Sequence, residues 1–157
     1  MLRTKDILDE KDPRVRAKNT DVDFPLNDEY KDIIPEMLKH LRYSQIEKLS
    51  KKYDLRPGMG LAAPQLGINK NFFVVCYEVK DGVFDDYILI NPKVISYSEE
   101  MIYAGEGEGC LSVNREVEGI VPRHARITVE AYDLDGNKRK YRVREDLAIA
   151  FQHELDH

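Results

Sequence analysis

The run His153-Glu154-Leu155-Asp156-His157 places two imidazoles four residues apart, with a carboxylate beside the first. On a helix, four residues make just over one turn, so both rings leave one face about 6 Å apart along the axis and can converge on a single ion. Glu154, one position on, points toward an open coordination position, where a carboxylate can take the proton of a bound water. The chemistry implied is hydrolysis by a metal-activated water, with Glu154 as the acid/base residue. The pattern fixes only the two histidines and the glutamate, so by itself it describes a solvated helix end equally well.

A catalytic site of this kind needs a third protein ligand, which in the common metallopeptidases follows the second histidine. This chain stops at His157, so the ligand is expected upstream, among Cys76, Cys110, His40, His124 and the carboxylates. Cys76 lies within Phe72-Phe73-Val74-Val75-Cys76-Tyr77 and reads as a small buried thiol. His40 and His124 have polar neighbours and read as surface residues. Cys110 differs, because Gly107 and Gly109 beside it let the backbone approach an ion closely. Cys110, His153 and His157 are therefore the expected metal ligands. A further segment, Gly58-Met59-Gly60-Leu61-Ala62-Ala63-Pro64-Gln65-Leu66-Gly67, suits a backbone lying close to something else, with a rigid bend carrying one amide side chain. It reads equally as a tight turn on the core. It lacks the lysine and hydroxyl residue of a phosphate loop.

These segments must be held by the rest of the chain. Thr4 caps a short expected helix over 6–9 that Asp12-Pro13 ends, and the stretch to Leu26 reads as loop. From the N-cap Asn27, apolar residues Tyr30, Ile33, Ile34, Met37, Leu38 and Leu41 recur at helical spacing, with Pro35 as a start or a kink. A second helix is expected over 45–53. Strands are expected at 72–79, 87–91, 94–98 and 126–132, where β-branched and aromatic residues gather. A turn at 133–137 joins the last of these to a strand over 138–143, in which Lys138, Lys140, Arg142 and Arg144 share one face. Helix over 146–157 follows, with Leu147, Ala150, Phe151 and Leu155 on its apolar side.

The 157 residues suffice for one domain, 1–157, that buries a core without staples. Hydrophobic residues at 42% and charged residues at 34% exclude a disordered or membrane chain. Phe72 to Tyr77, the longest apolar stretch, is far too short to span a bilayer. The N-terminus has no apolar leader core, and two cysteines are too few for a disulfide framework, so a cytoplasmic location is expected. A net charge of −5 disfavours general nucleic-acid binding, and no membrane partner is expected.

Taken together, Gly58-Met59-Gly60-Leu61-Ala62-Ala63-Pro64-Gln65, Glu108-Gly109-Cys110-Leu111-Ser112 and His153-Glu154-Leu155-Asp156-His157, in this order, resemble the peptide deformylases. The resemblance runs from about Gly58 to the end and takes in Val121-Pro122-Arg123. The residues around 43–55 resemble the longer subgroup found in Gram-positive bacteria. The resemblance implies an α+β fold, with mixed and antiparallel sheets around a C-terminal metal-binding helix and helices at the N-terminus. It implies removal of the formyl group from the N-terminal formyl-methionine of nascent polypeptides, with release of formate. Fe²⁺ would be held by Cys110, His153 and His157, a donor set that also suits Zn²⁺, Ni²⁺ or Co²⁺. Glu154 would deprotonate the attacking water and protonate the leaving amine. The Gln65 amide and the Leu111 backbone N–H would donate to the developing oxyanion. The backbone near Gly60 would pair with the extended peptide, and the methionine side chain would enter an apolar pocket built with Ile149 and His153. Arg123, paired with Glu108 or Asp156, would orient the ligands. The family continues past its second histidine, so the chain's stop at His157 implies a frayed ligand and a weakened metal site; the ribosome, with which the family's C-terminal region is linked, is a weaker expected partner than formyl-methionyl peptides. Two rivals share these residues. An internal peptidase would need a ligand after His157, and a protein binding metal or formyl-peptide without turnover would need neither Glu154 nor Gln65.

Overall fold

The computed structural model describes residues 1–103 and 121–157. Five strands form one antiparallel sheet in the order β1 (Gly60–Ala62), β2 (Phe72–Lys80), β3 (Val83–Tyr97), β6 (Arg126–Tyr132), β7 (Lys138–Arg144). A two-stranded antiparallel pair, β4 (Met101–Ile102) and β5 (Arg123–His124), lies apart from it. The helices are α1 (Pro13–Arg16), α2 (Asp28–Ser44), α3 (Glu47–Tyr53) and α4 (Glu145–Leu155). The α+β class and the C-terminal helix are as expected.

The central sheet is buried on both faces because its strands alternate into two cores. Phe72, Val74 and Cys76 join Ile34, Met37 and Leu41 of α2 in one cluster. Phe73 and Val75 face the other way, toward Phe151 of α4, with Leu89, Ile127, Val129 and Val143. A T-shaped pair of Phe73 and Phe151 rings, 5.6 Å between centroids, locks α4 to the middle of the sheet.

Helix α2 starts where Asn27 accepts a hydrogen bond from Glu29 N–H at 2.9 Å. It runs unbroken through Pro35, which lies on the exposed face, where water can satisfy the carbonyl one turn back. The reading of Asp12-Pro13 as a helix end is corrected. Asp12 accepts from Arg14 N–H and Pro13 occupies the first helical position, so the pair begins α1, and only a 3₁₀ turn over Thr4–Asp6 precedes it. The strands expected at 87–91 and 94–98 are one strand, β3, whose register shifts between Ile90 and Lys93. Asn91 sits there in the left-handed region, φ 51°, and its side chain pairs with both backbone groups of Val22 at 2.7 and 2.9 Å.

His40 is not a surface residue. It is 1% exposed under the N-terminal segment, with Nδ1 at 2.9 Å from the Leu2 carbonyl. One helical turn from Glu36 and Met37, it falls on the buried side of α2, which charge and polarity of neighbours do not reveal.

Candidate functional site

Helix α4 is the element on which the two histidines depend. Its apolar side is buried through Ala148, Ile149, Ala150 and Phe151, and this sets the azimuth of everything that follows. His153 and His157 then leave one face with ring centroids 5.4 Å apart. Burial, reinforced by the neighbouring His153 and opposed by Asp156, pushes the His157 imidazole down to about 4. At neutral pH it is uncharged, which is the form that binds a metal. Two imidazoles one turn apart fit a divalent ion. No set of three donor side chains stands together among the described residues, and Cys110, Leu111 and Glu108 lie outside them.

Glu154 is 6% exposed, and its Oε1 has no hydrogen-bond partner among the described residues. A buried carboxyl without a partner resists ionisation. Burial, with a smaller contribution from Asp156, raises Glu154 to about 8. Its other oxygen lies against β1: a β-carbon placed on Gly60 would stand 2.6 Å from Glu154 Oε2 and 2.8 Å from its Cγ and Cδ. Only glycine leaves room for that carboxyl.

The segment around Gly60, read from sequence as a close-lying backbone or a turn, is an edge strand followed by a 3₁₀ turn over Ala63–Leu66. Met59 O accepts from Cys76 N–H at 2.7 Å, and Ala62 N–H donates away from β2 to Gln65 Oε1 at 2.9 Å. Backbone groups alternate sides along a strand, so the N–H and C=O of Gly60, like the N–H of Ala62, point to the open edge of β1. The bond from Ala62 also orients the Gln65 amide. With Oε1 turned into its own loop, the NH₂ is the end that can donate elsewhere, and the side chain is held at 1% exposure. Gln65 O in turn accepts from Leu8 N–H at 2.8 Å, tying the loop to the N-terminal segment. Ile149, expected to line a pocket, is buried on α4 yet belongs to neither core cluster among the described residues.

Arg123, 13% exposed, meets Asp156 through Nη1 and Oδ2 at 2.6 Å. Of its two expected partners, Asp156 is thus in contact. Two further polar residues touch this region without having been singled out. Asn19 Nδ2 donates to the His157 carbonyl at 3.1 Å, and Gln152 bonds β5 through its side chain. For Gln152 a signal did exist, since it lies four residues before Asp156 on the same helical face. Asn19 sits in a loop, and nothing local marks it. His124 is half-buried, its Nδ1 at 2.8 Å from Ser98 O and its ring 4.3 Å from that of Tyr97, which corrects its reading as a surface residue.

A family model described as Polypeptide deformylase matches residues 4–157. A peptide deformylase of Oceanobacillus iheyensis is 46% identical over 157 residues, covering all of this chain and 86% of its own length. One from Macrococcus caseolyticus is 49% identical over 158 aligned residues with the same coverage of each. Among solved structures, a probable peptide deformylase from synechococcus phage S-SSM7 superposes with a TM-score of 0.78 at 32% identity, over 96% of this chain and 91% of that one. The enzyme from Thermotoga maritima does so at 0.72 and 31%, over 96% and 88%.

Proposed function

The chain belongs to the polypeptide deformylase family, and from that premise we propose that its site hydrolyses the formyl amide at the N-terminal formyl-methionine of nascent polypeptides, releasing formate and a free amine. The family is metal-dependent, and His153 and His157 are the described residues that would hold the ion, with Cys110 as the proposed third ligand. Fe²⁺ is the proposed metal, with Zn²⁺, Ni²⁺ and Co²⁺ as substitutes compatible with a thiolate and two imidazoles. When bound, such an ion polarises the formyl oxygen and lowers the pKa of a water.

The observation that carries the reading is the contact between Glu154 and Gly60. An extended peptide added to the open edge of β1 would bond the backbone of Gly60, and its first residue would then lie beside the Glu154 carboxyl. Main-chain pairing ignores side chains, which suits an enzyme that meets many protein N-termini. Glu154, whose carboxyl burial raises to about 8, takes a proton from the attacking water in its ionised form and returns it to the departing amine. The Gln65 NH₂ and the Leu111 N–H donate to the carbonyl oxygen as it gains charge. Ile149 lines the side of the site that receives the methionine side chain.

We place residues 1–157 in one catalytic domain, because α2 and α4 cover opposite faces of one sheet. The position of α3 at Glu47–Tyr53 supports the longer subgroup. The substrate sets the work in the cytoplasm, where chains leave the ribosome. No helix among the described residues is long and apolar enough to cross a membrane, and a net charge of −5 opposes general nucleic-acid binding.

The test is formate release from a formyl-Met tripeptide by protein purified anaerobically and loaded with Fe²⁺ or Ni²⁺. Wild type should turn over, and Glu154→Ala should lose about 10²–10⁴-fold while keeping its metal. One bound metal without formate release from wild type would leave a binding protein as the better account.

A further inference from the structure

Gln152 makes a contact that ordinary helix surface residues do not. Its Oε1 accepts from His124 N–H at 2.8 Å, and its Nε2 donates to His124 O at 2.8 Å and to Ala148 O at 3.0 Å. One side-chain amide therefore satisfies both backbone groups of a β5 residue, as a neighbouring strand would. The flanking residue explains why these groups need a partner. Ala125 N–H donates to Glu100 O on the β4 side, so the alternate residue His124 presents its N–H and C=O away from β4. Asn91 uses the same device on Val22, where it joins the N-terminal loop to β3.

The position of Gln152 on α4 gives this contact its consequence. Residues 152 and 156 are four apart and share a helical face, and both face β5: Gln152 meets His124, and Asp156 meets Arg123. Residues 153 and 157 form the adjacent stripe, turned about 100° around the axis. Anchoring the first stripe to β5 at two points one turn apart fixes the roll of the helix, and with it the direction in which both imidazoles project. The core contacts of Phe151 set the same roll less sharply, since aromatic packing tolerates small rotations better than a paired amide does.

We infer that Gln152 is a positioning residue for the metal site: by pairing with the backbone of His124 it holds the end of α4 at the roll at which His153 and His157 face one point. The inference rests on the deformylase reading for the identity of those ligands. It does not rest on activity, because its primary readout is the bound ion.

The experiment uses the full chain loaded with Co²⁺. Gln152→Met keeps the volume and removes both bonds to β5. Its metal-free form should melt within a few degrees of wild type, and amide hydrogen exchange at His124 should accelerate. Loss of Co²⁺ to a chelator should be roughly 10–100-fold faster, the ligand-field bands of the bound ion should shift, and kcat should fall with KM little changed. Gln152→Glu, which retains the acceptor for His124 N–H but loses the donor to His124 O, serves if the methionine variant does not fold; it is read by Co²⁺ release and the ligand-field bands, faster release with shifted bands supporting the inference and values identical to wild type overturning it. Co²⁺ release and bands identical to wild type, with His124 exchange accelerated, would overturn the inference. Wild type that holds Co²⁺ but releases no formate would instead count against the deformylase reading and leave this comparison intact.

Discussion

Gly60 faces the Glu154 side chain so closely that a single methyl group would stand 2.6 Å from Oε2 and 2.8 Å from Cγ and Cδ, inside van der Waals contact. The strand that offers its open edge and the proposed acid/base carboxyl therefore pack as one unit. Gly60→Ala leaves the backbone groups of β1 in place and forces Glu154 to move. The expected outcome is a fall in kcat of about 100-fold, with KM and metal content little changed, since small displacements of a reacting group cost that much. Steady-state kinetics with metal analysis checks it, and kcat within twofold of wild type would sink the proposed alignment.

Gln65 performs two tasks with opposite ends of one amide. Its Oε1 holds Ala62 N–H at 2.9 Å, and its NH₂ is the proposed oxyanion donor. Gln65→Glu keeps the first and removes the second. Turnover should drop roughly 10²–10³-fold with little change in melting temperature, whereas Gln65→Ala should lower both. Equal turnover of Gln65→Glu and wild type would remove Gln65 from the oxyanion site.

Phe151 is fully buried and meets Phe73, Tyr87 and Tyr141 edge-on. Phe151→Ala removes the anchor of α4 from the sheet. A loss of about 3–5 kcal/mol is expected, seen as a melting temperature about 10 °C lower. A chain that melts unchanged would show that α4 is held by its polar contacts with β5 alone.

Cys76 is wholly buried, and its thiol is pushed up to about 11, first by burial and then by Asp86, with Arg42 opposing. In the unfolded chain the thiol ionises near 9, so stability from this group is complete below pH 9 and is lost as pH rises through 11. Cys76→Val should flatten that alkaline loss by roughly 2 kcal/mol. Denaturant midpoints of both proteins at pH 8 and pH 10.5 measure it; parallel declines would contradict it.

Much of this protein was determined locally and could be read without coordinates. The Asn27 cap, the apolar stripe of α2, the strands at 72–80 and 126–132, and the hairpin turn at Gly136 each follow from short-range periodicity and backbone preference. So did the spacing of His153 and His157, because one helical turn is a property of the chain itself. Other features needed the tertiary structure. Asp12-Pro13 can end one helix or begin another, and which happens depends on the following turn finding a core for Val15. His40 looked polar and exposed until the N-terminal segment closed over it. The approach of Gly60 to Glu154 spans 94 positions of sequence, and the pairing of Gln152 with His124 joins a helix to a strand 28 residues away. Contacts between segments so distant arise only when the sheet brings them together; the helical spacing of Gln152 and Asp156 and the glycines around Gly60 mark one side of each contact, but nothing local names the partner.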